Sequence, residues 1–177
     1  EAIQSLKRRF GVADTLIVGY DHPYVYLNRS VIEELGLDQG EVEGAVAREI
    51  QRLPGVALAV SSTALQRGQT PDLPVMRSVL RNYSPSRSGD IYLVFEPQWF
   101  INDFDGLTVA TTHGSPWRYD TFVPLVFAGM DLAPRPVGRR VETIDLAPTL
   151  AQLLGLKPPS GAAGVPLEEV ALGRQSN

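Results

Sequence analysis

The chain has 177 residues, 44% hydrophobic and 20% charged, with 20 acids against 16 bases and a net charge of −4. That is the balance of a globular protein, large enough for one domain or for a core piece with a small subdomain. Lys7-Arg8-Arg9 and Arg139-Arg140 are too short and too far apart for a nucleic-acid face, no apolar run approaches a membrane span, and the absence of cysteine excludes disulfides and thiolate metal sites.

The first segment is charged and lacks both an initiator Met and the apolar core of a signal peptide. It reads as the inside of a helix, as expected for a truncated or processed polypeptide. Ile3, Leu6 and Phe10 give residues 2–10 an amphipathic helical pattern. Thr15 to Val18 and Tyr24 to Leu27 read as short strands around the turn Asp21-His22-Pro23. Asn28 to Leu35 predicts a short helix. Asp38, three residues before Glu41, caps a longer one that carries Val42, Val46, Ile50 and Leu53 at helical spacing and stops at Pro54-Gly55. Val56 to Val60 has strand length and composition. Ser62 is placed to cap a short helix, and Asp72 a second whose face is Val75, Met76, Val79 and Leu80. Residues 1–88 therefore predict a small α+β subdomain with a leading helix, its helices on one face of a sheet.

The pattern changes after Gly89. Ile91 to Phe95 and Val123 to Ala128 are continuous apolar runs, as in strands buried on both faces of a parallel sheet. Between them lies a long loop, 96–122, rich in Gly, Asp, Thr and aromatics; ordered loops of that length usually carry function. Thr143 or Asp145 caps a last helix with Pro148 in its first turn, a buried stripe of Leu146, Leu150, Leu153 and Leu154, and Gly155 as its stop. Residues 89–177 thus predict an α/β core region with a Pro/Gly-rich tail.

Chemistry concentrates in Thr111-Thr112-His113-Gly114-Ser115. An imidazole in a polar loop before a buried strand can face a site at the sheet edge, with Gly114 leaving room for a metal or ligand beside it. A loop His hydrogen-bonded to backbone is the structural alternative. His22 is the only other imidazole, and a self-contained zinc site takes three or four ligands, so carboxylates would have to complete one here. Asp103, Asp105 and Asp120 are candidate general bases and equally suit a solvated loop. Asp145 suits a helix cap better than a catalyst. Trp99, Phe100, Phe104 and Trp117 suit loop packing, or else a substrate wall or docking surface. Nothing local would activate Thr111 or Thr112 as a nucleophile.

Three segments in order carry a family resemblance: Tyr83-Ser84-Pro85-Ser86-Arg87-Ser88-Gly89-Asp90-Ile91; Thr111 to Ser115 followed by Tyr119-Asp120-Thr121 and Val123 to Phe127; and Val141 to Leu150 with Leu153-Leu154-Gly155. Together they span residues 83–165 and resemble the C-terminal portion of the alkaline phosphatase superfamily, in its phosphodiesterase/nucleotide pyrophosphatase-like and phosphate-irrepressible branch. Residues 1–82 resemble it only loosely. The resemblance implies a zinc-dependent phosphate-ester hydrolase with two zinc ions and a Thr or Ser nucleophile. It implies that His113 is one zinc ligand and that the nucleophile and remaining ligands lie in a missing N-terminal part. The chain alone is then expected to bind no zinc tightly and to be inactive. Phe122 departs from the family pattern, which often has His there. Asp21-His22 resembles the superfamily's metal-binding Asp-His pair, but Pro23 follows where Gly is usual, so the turn reading fits better. The implied substrate is a small phosphate ester, and the implied compartment periplasmic or extracellular. Rival expectations are a non-catalytic interaction module, a sulfatase or phosphonate hydrolase on the same scaffold, and a free-standing single-zinc hydrolase using His22 and His113.

Overall fold

Alternation along four short strands organises the first half of the chain. In a computed structural model, which describes residues 2–12, 15–102, 106, 108–129 and 132–171, these are β1 (Ile17–Asp21), β2 (Tyr24–Leu27), β3 (Val56–Ser61) and β4 (Ile91–Phe95). Asp103, Phe104 and Asp105, and the side chain of Ile3, lie outside the described residues. The sheet runs β1-β2-β4-β3, and each neighbouring pair is antiparallel.

Successive side chains of a strand face opposite ways, and β4 divides its apolar run accordingly. Ile91 and Leu93 enter a core with Val25, Leu27, Val42, Val46 and Ile50. Tyr92 and Val94 enter another with Leu58, Val60, Leu65, Met76 and Val79. The run reads as a strand buried on both faces, and β4 is one. The inference to a parallel sheet does not hold, because an apolar run reports burial and says nothing about strand direction.

Helices cover both faces. The first core is closed by α1 (Ala2–Phe10), α2 (Arg29–Glu34) and α3 (Gln39–Ile50), the second by α4 (Ser62–Gln66) and α5 (Met76–Asn82). The Asp38 carboxylate caps α3 by accepting from the Glu41 N–H at 2.7 Å. Val42 and Val46 are fully buried, while Leu53, beyond the helix end, is exposed. Glu43 is also fully buried on α3 and accepts bonds from Gln39 Nε2 (2.8 Å), the Ser62 hydroxyl (3.1 Å) and the Thr63 N–H (2.9 Å). Those bonds satisfy its carboxylate and tie α3 to the first turn of α4. Ser61 rather than Ser62 caps α4, accepting from the Ala64 N–H. Asp72 caps nothing: α5 starts at Met76 after a turn and has no side-chain cap. Asp90 is buried and accepts from the Leu27 N–H and from Arg29, both at 2.7 Å, which joins the start of β4 to the end of β2.

The chain divides into two compact units, residues 1–122 and 123–177. The sequence divides it at 88/89, a point inside the sheet, between β3 and β4. In the second unit Val123 to Ala128 is not a strand and has no regular secondary structure. Val123 and Val126 are 57% and 79% exposed. A strand needs a neighbour to bond with, and none of the described residues supplies one.

A 3-10 turn (Thr143–Asp145) leads into α7 (Leu146–Leu154), and α8 (Glu168–Ala171) packs against α7. Glu142 and Asp145 form a reciprocal capping box, and Gly155 ends α7 at φ +65°. The expected leucine stripe is only partly buried: Leu153 is, whereas Leu146, Leu150 and Leu154 are exposed. The face of α7 that packs inward is Pro148, Thr149, Ala151 and Leu153. Among the described residues no helix is long and apolar enough to cross a membrane.

Candidate functional site

β4 delivers the chain into the long loop, and the loop returns through α6 (Arg118–Thr121). Its two ends are fastened. The Trp99 indole lies over Gly55, so close that a Cβ there would come within 2.1 Å of the ring. The Gln98 N–H donates to the Tyr119 hydroxyl at 2.9 Å. Trp117 donates its indole N–H to the Phe95 carbonyl, also at 2.9 Å, and packs against the second core. Trp99 and Trp117 therefore serve loop packing. Within the loop, Asn102 Oδ1 accepts from the Val109 N–H at 3.2 Å.

His113 is exposed. Gly114 follows at φ +98°, a conformation L side chains rarely adopt, so the turn after the imidazole depends on glycine. The Ser115 N–H then donates to Asp120 Oδ2 at 2.9 Å, linking the His113 segment to α6. Ser115 holds the Asp120 carboxyl below its usual range, first through its side chain, which lies beside the carboxylate, and then through that N–H. The Ser115 hydroxyl is nonetheless outside hydrogen-bonding geometry and is buried without a partner. The bond from the Ser115 N–H makes Asp120 a brace between the His113 segment and α6. Thr111 and Thr112 are exposed, and the Thr111 hydroxyl donates to the Thr112 carbonyl at 3.5 Å.

The turn between β1 and β2 reaches the same place. His22 Nε2 would lie 3.8 Å from a Cβ at Gly114. The other ring nitrogen, Nδ1, is 2.9 Å from the Tyr20 hydroxyl, and the ring stacks on Phe95 with centroids 6.3 Å apart and planes 14° apart. Burial lowers the His22 pKa; Asp21 opposes this, and the charge of His113 adds to it. Burial, with the charge of Asp21 behind it, raises Tyr20 to about 12, so its hydroxyl stays protonated at neutral pH. The two histidines, remote in sequence, thus belong to one neighbourhood.

Among the described residues no group of three or more His, Asp or Glu side chains could hold a metal ion. The described part of the chain does not fit a self-contained zinc site, which needs three or four converging donors. An exposed imidazole such as His113 fits the contribution of a single donor. Asp145, the remaining sequence candidate, is structural: Oδ2 accepts from the Glu142 N–H at 3.0 Å and Oδ1 from the Val165 N–H at 2.9 Å. Sequence reasoning did not find Tyr20 or Phe95. Their roles depend on the β1-β2 turn meeting the end of β4, a non-local approach with no local signal.

No protein-family model matches the chain. Several curated proteins are similar over most of it, two of them over more than nine-tenths. A calcium-transporting ATPase from Myroides odoratus is 36% identical over 94% of this chain and 30% of its own length. Alkaline phosphatase PafA from Elizabethkingia meningoseptica is 33% identical over 93% of this chain and 29% of its own length. The crystal structure of wild type alkaline phosphatase PafA superposes with a TM-score of 0.80 at 30% identity, covering 95% of this chain and 31% of that one. The chain therefore spans about 30% of the length of these relatives.

Proposed function

This chain belongs to the alkaline phosphatase superfamily, and we propose that it is the C-terminal part of a zinc-dependent hydrolase of phosphate esters, inactive without the rest of the polypeptide. The observation that carries the proposal is the match to alkaline phosphatase PafA in sequence and in fold, together with an exposed His113 on the loop that leaves β4.

In this reading His113 supplies one imidazole to a zinc ion whose other donors come from outside the chain. Zinc bound there would act as a Lewis acid toward a phosphoryl oxygen. The chain's own residues position the imidazole: Gly114 turns the backbone away from it, Ser115 and Asp120 fix that turn, and Trp117 ties the loop to the last carbonyl of β4. The exposed Val123–Val126 run and the Leu146, Leu150 and Leu154 face support the same reading, as apolar surfaces left open for the rest of the protein.

Phosphomonoester and phosphodiester cleavage are separated by assaying the intact protein with p-nitrophenyl phosphate and bis-p-nitrophenyl phosphate in the presence of zinc. ATP is a useful third substrate, because one relative bears the name of an ATPase. His113→Ala is expected to lower turnover at least about a hundredfold, the upper end for losing a group that supports a metal ligand. It should also lower the zinc retained after dialysis. Clear turnover by the isolated chain, or unchanged zinc and activity in the variant, would refute the proposal.

A further inference from the structure

Three rings stand together beside the His113 segment. Tyr20 meets His22 edge-on, with centroids 6.4 Å apart and planes at 72°. It meets Phe95 in the same way, at 6.5 Å and 73°. His22 stacks on Phe95. All three separations fall in the range where aromatic pairs attract beyond simple burial. The set is nevertheless not a sealed core: Tyr20 is 37% exposed, His22 is exposed and Phe95 is only part-buried. Two strands and a turn hold rings in a fixed arrangement, with Tyr20 bonded to the Nδ1 side of His22. Nε2 is on the side of Gly114 and makes no hydrogen bond among the described residues.

We infer that Tyr20, His22 and Phe95 form a wall that binds the planar alcohol portion of the ester, so that the enzyme prefers aryl or nucleoside-like leaving groups to alkyl ones. The inference rests on the proposed hydrolase reading and assigns a substrate class to that site. A flat leaving group attached to a phosphoryl centre near His113 would meet the exposed parts of the rings, and the rigid arrangement holds the ordering cost of binding down. The free Nε2 adds a hydrogen-bonding position suited to a polar ring substituent.

The test uses the intact protein and compares phenyl phosphate with glycerol 2-phosphate, taking the ratio of kcat/KM values for each variant. Dividing by the wild-type ratio removes the intrinsic difference in leaving-group reactivity. His22→Ala is expected to lower the aryl-to-alkyl ratio about fivefold, the size of one aromatic contact. Tyr20→Leu gives an independent variant should His22→Ala misfold, and His22→Phe, which keeps a planar face, is expected to retain most of the ratio. Calorimetric affinities for phenylphosphonate and methylphosphonate supply a second readout that needs no turnover. Loss of the phenyl preference in His22→Ala supports the wall. A parallel fall for both compounds means the rings are only structural and overturns it, as does an unchanged ratio. If the wild type hydrolyses neither ester, the hydrolase reading has failed, and the phosphonate pair alone decides whether the wall binds planar groups.

Discussion

The two compact units are held together by different physics. In residues 1–122, a four-stranded sheet buries apolar side chains on both faces, and Val42, Val46 and Ile91 are wholly removed from solvent. In residues 123–177, the buried apolar side chains among the described residues are Pro148, Ala151, Leu153 and Leu167. There, polar contacts do what packing does elsewhere. Asp145 accepts two backbone N–H groups, and the buried Thr149 hydroxyl donates to the Asp145 carbonyl while accepting from the Leu167 N–H. Arg139 and Glu169 pair side by side. The apolar area of the second unit is instead largely outside, on Val126, Leu154, Leu156 and Val165. The first unit thus has a core of its own, whereas the second leaves many of its large apolar side chains exposed.

This contrast yields ordered predictions. Both tryptophans lie in the first unit, so tryptophan fluorescence follows that unit, and amide exchange along α7 and α8 follows the other. The largest effect belongs to Ile91→Ala, which should cost the first unit about 4 kcal/mol by removing a fully buried side chain from the central strand. Urea unfolding by fluorescence measures it, and a cost well under 1 kcal/mol would break the contrast. Next comes Asp145→Ala, which strands the Glu142 and Val165 N–H groups and should cost the second unit about 2 kcal/mol. Exchange along α7 should quicken while the fluorescence midpoint stays put.

Acid should act on the second unit in the same sense. Backbone bonds from Glu142 and Val165 depress the Asp145 pKa, and Arg139 brings that of Glu169 to about 2. A depressed carboxylate lends stability that is complete above its unfolded pKa and disappears as pH falls toward the folded value. Protection of α7 and α8 should therefore weaken from about pH 4.5 down to about pH 2, after correction for intrinsic exchange rates. Protection that holds constant over that window would mean these bonds carry little. The smallest effect belongs to Leu150→Ser. On an exposed face it should change the chain's own stability by no more than about 0.5 kcal/mol. In the intact protein a covered face would make the same change costly, and unfolding measured on both samples distinguishes the cases.

Sequence reasoning was strongest where a signal is local. The Asp38 cap, the Val42-Val46-Ile50 spacing and the Gly155 stop each act within a turn or two, and α3 and α7 form where these signals place them, although α3 ends before Leu53 and only Leu153 of the α7 stripe is buried. It was weaker where two structures share a pattern. Ile91 to Phe95 and Val123 to Ala128 look alike as sequence, but β4 has strand neighbours on both sides, whereas the second run has none among the described residues. The Leu146, Leu150 and Leu154 stripe was recognised as apolar, but its burial depends on what lies against it. The site was legible only in part. His113 stands in a residue pattern, while its neighbour His22 comes from a hairpin turn whose approach depends on the register of β1, β2 and β4.

The fastening of the long loop bears on how such a chain can vary through evolution. Trp99 on Gly55 and Trp117 on the Phe95 carbonyl anchor the loop near its ends, so the span between them can change length without disturbing either anchor. Closing a loop of twice the length costs only about 0.6 kcal/mol more, and insertions around 106–110 should be nearly silent for folding. The same insertion between Ser115 and Asp120 would break the bond that orients the imidazole turn. Diversity in length should therefore collect on one side of His113 and be purged on the other.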